Sequence, residues 1–319
     1  MKALVHHAGA RGELVLEERA QPIPSAGEAL LRVLACGVCR TDLHVVDEEL
    51  PPRRDATVPG HQIVGELPSG ERVGVTWLGG VDGTCAFCRS ERENLCDAPV
   101  FTGYDRDGGF APYVTAREDF LIPLPRGMSA EQAAPLLCAG IIGFRALRVA
   151  QVQRGERVGL YGFGASAHLA MQVLQAWDCE VFVATRGESH RALARELGAA
   201  WVGDTTDVPP VRLERAVTFA PSGDVVLAAL AALCKGGVVA VNAIHLDRMP
   251  AFDYDSLLWG ERQIRSVANM TRADARDFIR LAAEAGIRAR VSAFGLEEGP
   301  QALRALREDR VNGAAVLFP

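Results

Sequence analysis

The chain has 319 residues, 49% of them hydrophobic and 23% charged, and its formal net charge at pH 7 is −6. This length corresponds to about two domains, and the composition is that of a globular protein. The acidic balance argues against a broad nucleic-acid surface, because such surfaces are built from clustered lysine and arginine. No stretch resembles a signal peptide or the roughly 20 apolar residues of a membrane helix. We therefore expect a cytoplasmic protein that binds neither nucleic acid nor membranes.

The first 125 residues predict a β-rich domain. Short stretches rich in valine, leucine, isoleucine and aromatic residues are separated by glycine and proline turns; they are ALLRVLACGV, HQIVGEL, ERVGVTWL, FAPYVT and FLIPLP. This pattern is typical of a barrel or a sandwich. Near residue 129 the chain becomes rich in alanine and leucine, and Ser129 and Glu131 are suitable residues for the start of a helix.

From residue 157 onward, strand-like and helix-like segments alternate. RVGLYGFG predicts a strand that enters a glycine turn, and ASAHLAMQVLQAW predicts a helix. The series continues through EVFVATR, SHRALARELGA and GVVAVNA. Strands that alternate with helices of about 10 to 15 residues indicate an α/β fold with a doubly wound parallel sheet.

The turn LYGFGASAH places Gly162 and Gly164 between a strand and a helix, the context in which G-x-G-x-x-G indicates a dinucleotide site. The first glycine permits the tight turn, the second lets a pyrophosphate approach the backbone, and Ala167 replaces the third. The phosphate would lie at the helix N-terminus, against Ala165 and Ser166. The alternative is an ordinary tight turn between a strand and a helix.

The residues after the next strand bear on which nicotinamide cofactor is bound. NAD enzymes place an acidic residue there, whereas this chain has Thr185 and Arg186. Arginine pairs well with the 2′-phosphate of NADP, so we favour NADP(H) over NAD(H). The alternative is that Arg186 stacks on the adenine or points to solvent.

The chain has eight cysteines, and in a reducing compartment cysteines are more often metal ligands or buried thiols than disulfides. Cys85, Cys88 and Cys96 have the spacing C-x2-C-x7-C, which is one ligand short of a tetrahedral zinc site. Three further candidate ligands lie in distant segments, and spacing alone does not link them; they are Cys39, His61 and Cys138.

Six motifs resemble those of a known family. These motifs occur here in the same order as in zinc-dependent medium-chain alcohol dehydrogenases; they are CGVCRTDLH, PGHQIVGE, GTCAFCRSERENLC, FTGYDRDGGFAPY, APLLCAGIIG and YGFGASAH. The chain is similar to these enzymes over essentially its whole length, particularly to bacterial members that carry LLCAGIIG. The resemblance implies a zinc-dependent oxidoreductase that interconverts primary alcohols and aldehydes by hydride transfer to or from a nicotinamide cofactor.

The resemblance also implies a catalytic metal site. Zinc would be bound by Cys39, His61 and Cys138, with one coordination position left for the substrate oxygen. Asp42 matches a carboxylate that orients the ligand histidine. Gln62 stands where many members carry a glutamate near the metal.

Other matched positions concern the substrate and the cofactor. The resemblance implies that Thr41 takes the proton of the bound alcohol and that His44 carries it toward solvent. Arg40 matches a residue that contacts the cofactor pyrophosphate. Trp77 matches an aromatic side chain that narrows the alcohol pocket in some relatives.

A second zinc site normally reads C-x2-C-x2-C-x7-C in this family, and its first cysteine falls on Asp82 here. A carboxylate oxygen is a legitimate zinc ligand. Our hypothesis is a complete structural site made of Asp82, Cys85, Cys88 and Cys96. The rival interpretation is a weakened or empty site.

The resemblance divides the chain into two domains. Residues 1–140 and 268–319 would form a GroES-like β-barrel catalytic domain with the metal lobe, and residues 141–267 a Rossmann nucleotide domain. Relatives pair the edge strands of their nucleotide sheets, which implies a homodimer or homotetramer.

Two alternative functions stay open: a metal-free quinone or enone reductase of the same superfamily, and a non-catalytic, nucleotide-sensing zinc protein. The catalytic ligands disfavour the first, and the proton-relay residues disfavour the second.

Overall fold

The computed structural model describes residues 1–311 and 313–319. Within them the chain forms two compact units. The first unit comprises Met1–Ile141, Asn269–Ala283 and Arg288–Pro319, and the second comprises Ile142–Ala268 and Glu284–Ile287.

The strands, in chain order, are β1 Lys2–His7, β2 Val15–Glu18, β3 Glu28–Val38, β4 Ala56–Thr57, β5 Gln62–Glu66, β6 Arg72–Val75, β7 Leu78–Gly80, β8 Val100–Phe101, β9 Tyr113–Arg117, β10 Ile122–Pro123, β11 Arg157–Tyr161, β12 Glu180–Ala184, β13 Trp201–Gly203, β14 Leu213–Thr218, β15 Leu233–Val241, β16 Gln263–Ser266, β17 Val291–Gly295 and β18 Ala314–Phe318.

The α-helices are α1 Arg40–Val46, α2 Ala86–Arg89, α3 Ala130–Pro135, α4 Ile141–Val149, α5 Ala165–Ala176, α6 Glu188–Glu196, α7 Gly223–Ala232, α8 Tyr254–Leu257, α9 Arg272–Glu284 and α10 Gly299–Arg307. A π-helix, Leu136–Gly140, joins α3 to α4. Short 3₁₀ turns span Glu93–Leu95, Glu118–Phe120 and Leu296–Glu298.

A seven-stranded, mostly antiparallel sheet organises the first unit. Its order is β10-β6-β5-β3-β18-β17, and β9 also pairs with β3. Strands β17 and β18 run parallel, and the other pairs in this sheet are antiparallel. Its core includes Leu4, Leu31, Ile63 and Phe110, all buried. The β-rich prediction for the first 125 residues is confirmed.

A six-stranded parallel sheet organises the second unit, in the order β13-β12-β11-β14-β15-β16. The chain starts at the central strand β11, runs to one edge through α5 and α6, and returns to the other side of β11 at β14. Such a reversal of strand order is a topological switch point, outside which ligands of these sheets bind. The doubly wound prediction is confirmed.

One helical run among the described residues, Ala130–Val149, is long and apolar enough to cross a membrane by length and composition. The prediction that no stretch reaches this length is therefore wrong. Of the apolar window in this run, 67% is buried inside the protein, which is the position of a core helix. Burial on most sides requires apolar residues all round a helix, and this produces the same composition as a membrane span.

Candidate metal sites and nucleotide turn

The first candidate site begins at the N-terminus of α1. Cys39 caps this helix: its Sγ accepts a hydrogen bond from the backbone N–H of Thr41 at 3.3 Å. In return, Oδ2 of Asp42 accepts from the backbone N–H of Cys39 at 2.9 Å. This reciprocal capping box satisfies two N–H groups that a helix start leaves unpaired. It also holds the Cys39 thiol in place.

His61, just before β5, is completely buried beside this thiol. Its Nε2 lies 3.4 Å from Sγ of Cys39, and its Nδ1 lies 3.3 Å from Oδ1 of Asp42. Oδ1 of Asp42 also accepts from the backbone N–H of Gly60 at 3.1 Å. The carboxylate of Asp42 therefore faces one ring nitrogen of His61, and the other ring nitrogen faces Cys39.

Cys138 completes the cluster from the π-helix Leu136–Gly140. Its Sγ, the Cys39 Sγ and a ring nitrogen of His61 all lie within 4.8 Å of one another. Single π turns inside α-helices often occur at functional sites, because they redirect one side chain. Three residues that are far apart in the sequence thus present donor atoms to one point.

The charges in the cluster favour an anionic sulfur beside the imidazole. A hydrogen bond from Cys138 holds the pKa of Cys39 well below its usual value. Burial opposes a charge on His61, but the negative groups at Cys39 and Asp42 raise the histidine pKa to about 10. Two thiols and one imidazole, with an opposed carboxylate, form a donor set that fits zinc with one open position.

The second candidate site is the metal lobe, which we define as residues 81–98. Cys85 caps α2, and its Sγ accepts from the backbone N–H of Cys88 at 3.4 Å. Sγ of Cys96 accepts from the backbone N–H groups of Asp82 and Ala98, each at 3.4 Å. Such N–H groups stabilise negative charge on sulfur, and thiolate is the form that binds metals.

Asp82 supplies the fourth donor of the lobe. One of its oxygens and the sulfurs of Cys85, Cys88 and Cys96 all lie within 4.8 Å of one another. Its Oδ1 accepts from the backbone N–H groups of Cys85, at 2.8 Å, and Thr84, at 2.6 Å. These bonds lower the pKa of the Asp82 carboxyl. A carboxylate ready to bind a cation stands at the position of the missing cysteine.

The residues predicted to move a proton lie on α1. Thr41 is buried and His44 is half-buried. Nδ1 of His44 contacts a carboxylate oxygen of Glu49, which is exposed. Arg40, predicted to contact pyrophosphate, is exposed and lies 3.9 Å from the carboxylate of Asp309.

An aromatic stack beside His61 was only partly predicted. The indole of Trp77 meets the His61 ring edge-on at 5.0 Å between centroids. Phe101 stacks on Trp77 at 4.9 Å, and Tyr104 lies 6.0 Å from it. The family resemblance predicted Trp77 but not Phe101 or Tyr104, although the aromatic spacing in VFTGY is a usable signal.

The turn between β11 and α5 needs glycine at its first position, Gly162. Gly162 has φ of +89°, and a Cβ there would lie 3.1 Å from the backbone N of Ala220. Gly164 caps α5, and within the described residues no side chain bonds to the first N–H groups of this helix. Ala165 and Ser166 begin α5, and unpaired N–H groups at a helix start are suited to an anion.

Three arginines lie near the end of β12, and they differ in their partners. Arg191 donates to the carbonyl of Thr185 at 3.0 Å and pairs with Asp204 at 2.6 Å. Glu188 pairs with Arg195 at 2.6 Å. Arg186, in contrast, is exposed and has no ion-pair partner among the residues that the structure describes.

Two family models match the chain. Residues 25–126 match the alcohol dehydrogenase GroES-like domain, and residues 167–284 match the zinc-binding dehydrogenase domain. The first match lies in the first unit, and the second lies mostly in the second unit.

Known proteins of similar length resemble the chain. A probable alcohol dehydrogenase, AdhA, of Mycobacterium tuberculosis is 46% identical over 93% of this chain and 90% of its own length. An alcohol dehydrogenase of Geobacillus stearothermophilus is 31% identical over 95% of this chain and 96% of its own. The structure of acetophenone reductase from Geotrichum candidum in complex with NAD superposes with a TM-score of 0.88, at 25% identity, over 100% of this chain and 97% of that one. The chain belongs to the zinc-dependent medium-chain alcohol dehydrogenase family.

Proposed function

We propose that Cys39, His61 and Cys138 are the catalytic zinc ligands of an enzyme that interconverts primary alcohols and aldehydes with a nicotinamide cofactor. Membership of the alcohol dehydrogenase family supports the reaction class. The observation that carries the assignment is the convergence of three soft donor atoms within 4.8 Å, with a buried carboxylate behind the histidine. A metal-free reductase would have no use for this donor set.

Zinc bound there would act as a Lewis acid toward the oxygen of an alcohol or a carbonyl. The residues around it have separate tasks. Asp42 orients the His61 ring, and the α1 capping box holds Cys39. Thr41 would accept the proton of the substrate hydroxyl, and His44, next to exposed Glu49, would pass it to solvent.

We assign cofactor binding to the turn Gly162–Gly164 and the start of α5. Ala165 and Ser166 would contribute backbone N–H groups to the pyrophosphate. The contact of Arg40 with the same group stays a prediction from the family resemblance. NADP(H) is favoured over NAD(H) because Arg186, exposed and without an ion-pair partner among the described residues, stands where NAD enzymes carry an acid, and Thr185 beside it is neutral.

The lobe ligands Asp82, Cys85, Cys88 and Cys96 would bind a second zinc with a structural role. Four donors that close on one point leave no position for a substrate, as is usual for structural zinc. Assembly as a homodimer or homotetramer, a cytoplasmic location and the assignment of residues 1–140 and 268–319 to the catalytic domain stay predictions.

The test measures the loss of nicotinamide absorbance with a panel of small aldehydes, with NADPH and NADH run side by side. Each run is repeated after chelation and again after zinc is restored. Acetophenone, a ketone, is run beside the aldehydes, because a structural relative is an acetophenone reductase. Turnover lost on chelation and regained with zinc supports the proposal. Full turnover without zinc would favour the metal-free reductase. No turnover by a folded protein that binds zinc and nucleotide would favour the sensor.

A further inference from the structure

Glu93 is a buried carboxylate in the metal lobe that the proposed zinc chemistry does not use. It lies between Cys88 and Cys96, and only 6% of it is exposed. Glutamates are almost never so buried unless they are paired. Its Oε1 accepts from the backbone N–H of Arg272 at 2.9 Å and from the Nε of the same residue at 3.4 Å. The lobe is thereby bound to the first residue of α9.

Arg272 is held from a second side by an aromatic ring. Its guanidinium carbon lies 4.7 Å from the ring centroid of Phe120, and that of Arg117 lies 5.2 Å from the same centroid. Asp119 pairs with both arginines. Nη1 of Arg117 donates to the carbonyl of Val81, immediately before the first lobe ligand, at 3.4 Å. The lobe is therefore attached to this arginine–phenylalanine stack at two points, Val81 and Glu93.

Helix α9 leads from this attachment to the turn that carries Cys138. Phe278 lies on its buried face. A Cβ on Gly140 would fall 2.3 Å from Cε1 of Phe278, so the ring packs directly against the backbone of that turn. Gly140 ends the π-helix that carries Cys138. Close-packed interiors transmit small displacements, and the lobe, α9 and the Cys138 turn form an unbroken series of contacts.

We propose that Glu93 is a positioning residue that couples the metal lobe, through α9, to the cluster of Cys39, His61 and Cys138. The proposal rests on the two zinc sites of the proposed function. The carboxylate holds the start of α9 on the ordered lobe, and Phe278 on that helix supports the Cys138 turn. Without the bond to Arg272, the turn would move more freely, and Cys138 would hold zinc less firmly.

Zinc release from the full chain into a chromogenic chelator tests this without any use of turnover. Wild-type protein should release two zinc ions in two phases, and Cys39→Ser identifies the cluster phase because it removes a cluster ligand. Glu93→Gln keeps the side-chain size and one acceptor oxygen, and should speed release from the cluster about tenfold, the loss expected for a charged hydrogen bond. Glu91→Gln, at an exposed position of the same lobe, should leave both phases unchanged.

Arg272→Lys provides a second variant that does not bury an altered group in the lobe. It keeps the backbone N–H and the positive charge but loses the planar stack on Phe120, so an intermediate acceleration of the cluster phase is expected. Faster release from the lobe alone in both variants, or wild-type rates in both, overturns the coupling. A wild-type chain that holds a single zinc overturns the lobe site and the coupling with it.

Discussion

Oδ1 of Asp42 lies 3.3 Å from Nδ1 of His61, and both side chains are buried. The other ring nitrogen, Nε2, lies 3.4 Å from Sγ of Cys39. A carboxylate on one side of an imidazole fixes its tautomer and orientation, which directs the second nitrogen toward a metal. Because Asp42 also accepts from the backbone N–H of Cys39, one carboxylate orients two of the three proposed ligands.

Asp42→Asn should weaken zinc binding at the cluster and reduce kcat/KM by about 10- to 100-fold, the range found when such outer partners are replaced. The amide keeps the shape of the side chain and one acceptor oxygen, so the fold should persist. Competition with a chelator of known affinity measures the zinc affinity of the cluster, and initial rates measure kcat/KM. Asp55→Asn, at an exposed position, is the control. Wild-type zinc affinity in Asp42→Asn would show that the carboxylate does not orient His61.

Asp82→Ala should reduce the zinc content from two ions per chain toward one, because it removes one of the four donors in the lobe. Asp82→Cys, which restores the four-cysteine pattern, should keep two. Zinc and protein concentrations measured after dialysis without added metal give the ratio. Asp97→Asn, exposed beside Cys96, should behave as wild type. Equal zinc content in wild type and Asp82→Ala would mean that the carboxylate is not a ligand.

Arg186→Ala should lower kcat/KM with NADPH by about 10- to 100-fold, since a charge-assisted hydrogen bond contributes about 1.5–3 kcal/mol. Activity with NADH should change little, because NADH has no 2′-phosphate. Arg195→Ala on α6 is the control, since its cation already pairs with Glu188. An equal loss with both cofactors would mean that Arg186 contacts a group that NADPH and NADH share, such as the adenine.

The elements that the sequence predicted best are those whose signal is local. The strand, glycine turn and helix around Gly162 lie within about 20 residues, and φ of +89° at Gly162 is the conformation that makes glycine necessary there. The lobe cysteines have a short fixed spacing, and Asp82 could be placed by counting. Both predictions needed only the order of neighbouring residues.

The cluster of Cys39, His61 and Cys138 could not be predicted from spacing, because a capping box, a strand start and a π-helix bring its members together. Only the resemblance to a family linked Cys39 and Cys138 before the structure did. Glu93 was missed for a related reason: in the sequence it is one charged residue in SERENLC, and its burial depends on Arg272, 179 positions away. Hydrophobic periodicity carries no information about such pairs.

The pair of Arg157 and Glu214 should make the stability of the second unit depend on pH. A hydrogen bond from Arg157 lowers the pKa of Glu214 in the folded chain. A carboxyl with a lowered folded pKa contributes stability above its unfolded pKa of about 4.3 and loses it as the pH falls through the folded value. Glu214→Gln should therefore lower the Tm at pH 7, and the difference from wild type should shrink as the pH falls below about 4.

Thermal unfolding of the two proteins across this range measures the effect, which should be small because Arg157 is 39% exposed and screened by solvent. Glu261→Gln, at an exposed position of the same unit, should give no difference at any pH. A difference in Tm for Glu214→Gln that stays constant from pH 7 to pH 4 would assign the effect to packing and not to charge.

Gly140→Ala should destabilise the first unit and loosen the Cys138 turn. Its new Cβ would lie 2.3 Å from Cε1 of Phe278, a separation that real atoms do not adopt, and Phe278 is completely buried. Overpacking of this kind costs about 1–3 kcal/mol. We expect a lower Tm and faster zinc loss from the cluster. Adding Phe278→Leu should recover part of the loss, because the two changes act on one contact and are not additive.

Gly295→Ala is the matched control, since its φ is −72° and the nearest atom to its new Cβ lies 3.5 Å away. It should leave the Tm and the rate of zinc loss unchanged. If Gly140→Ala matched this control, the π-helix would have room to shift away from α9. Cys138 would then be held by its own turn alone, without support from Phe278. A lower Tm with an unchanged rate of zinc loss would instead separate the packing of this turn from the retention of its metal.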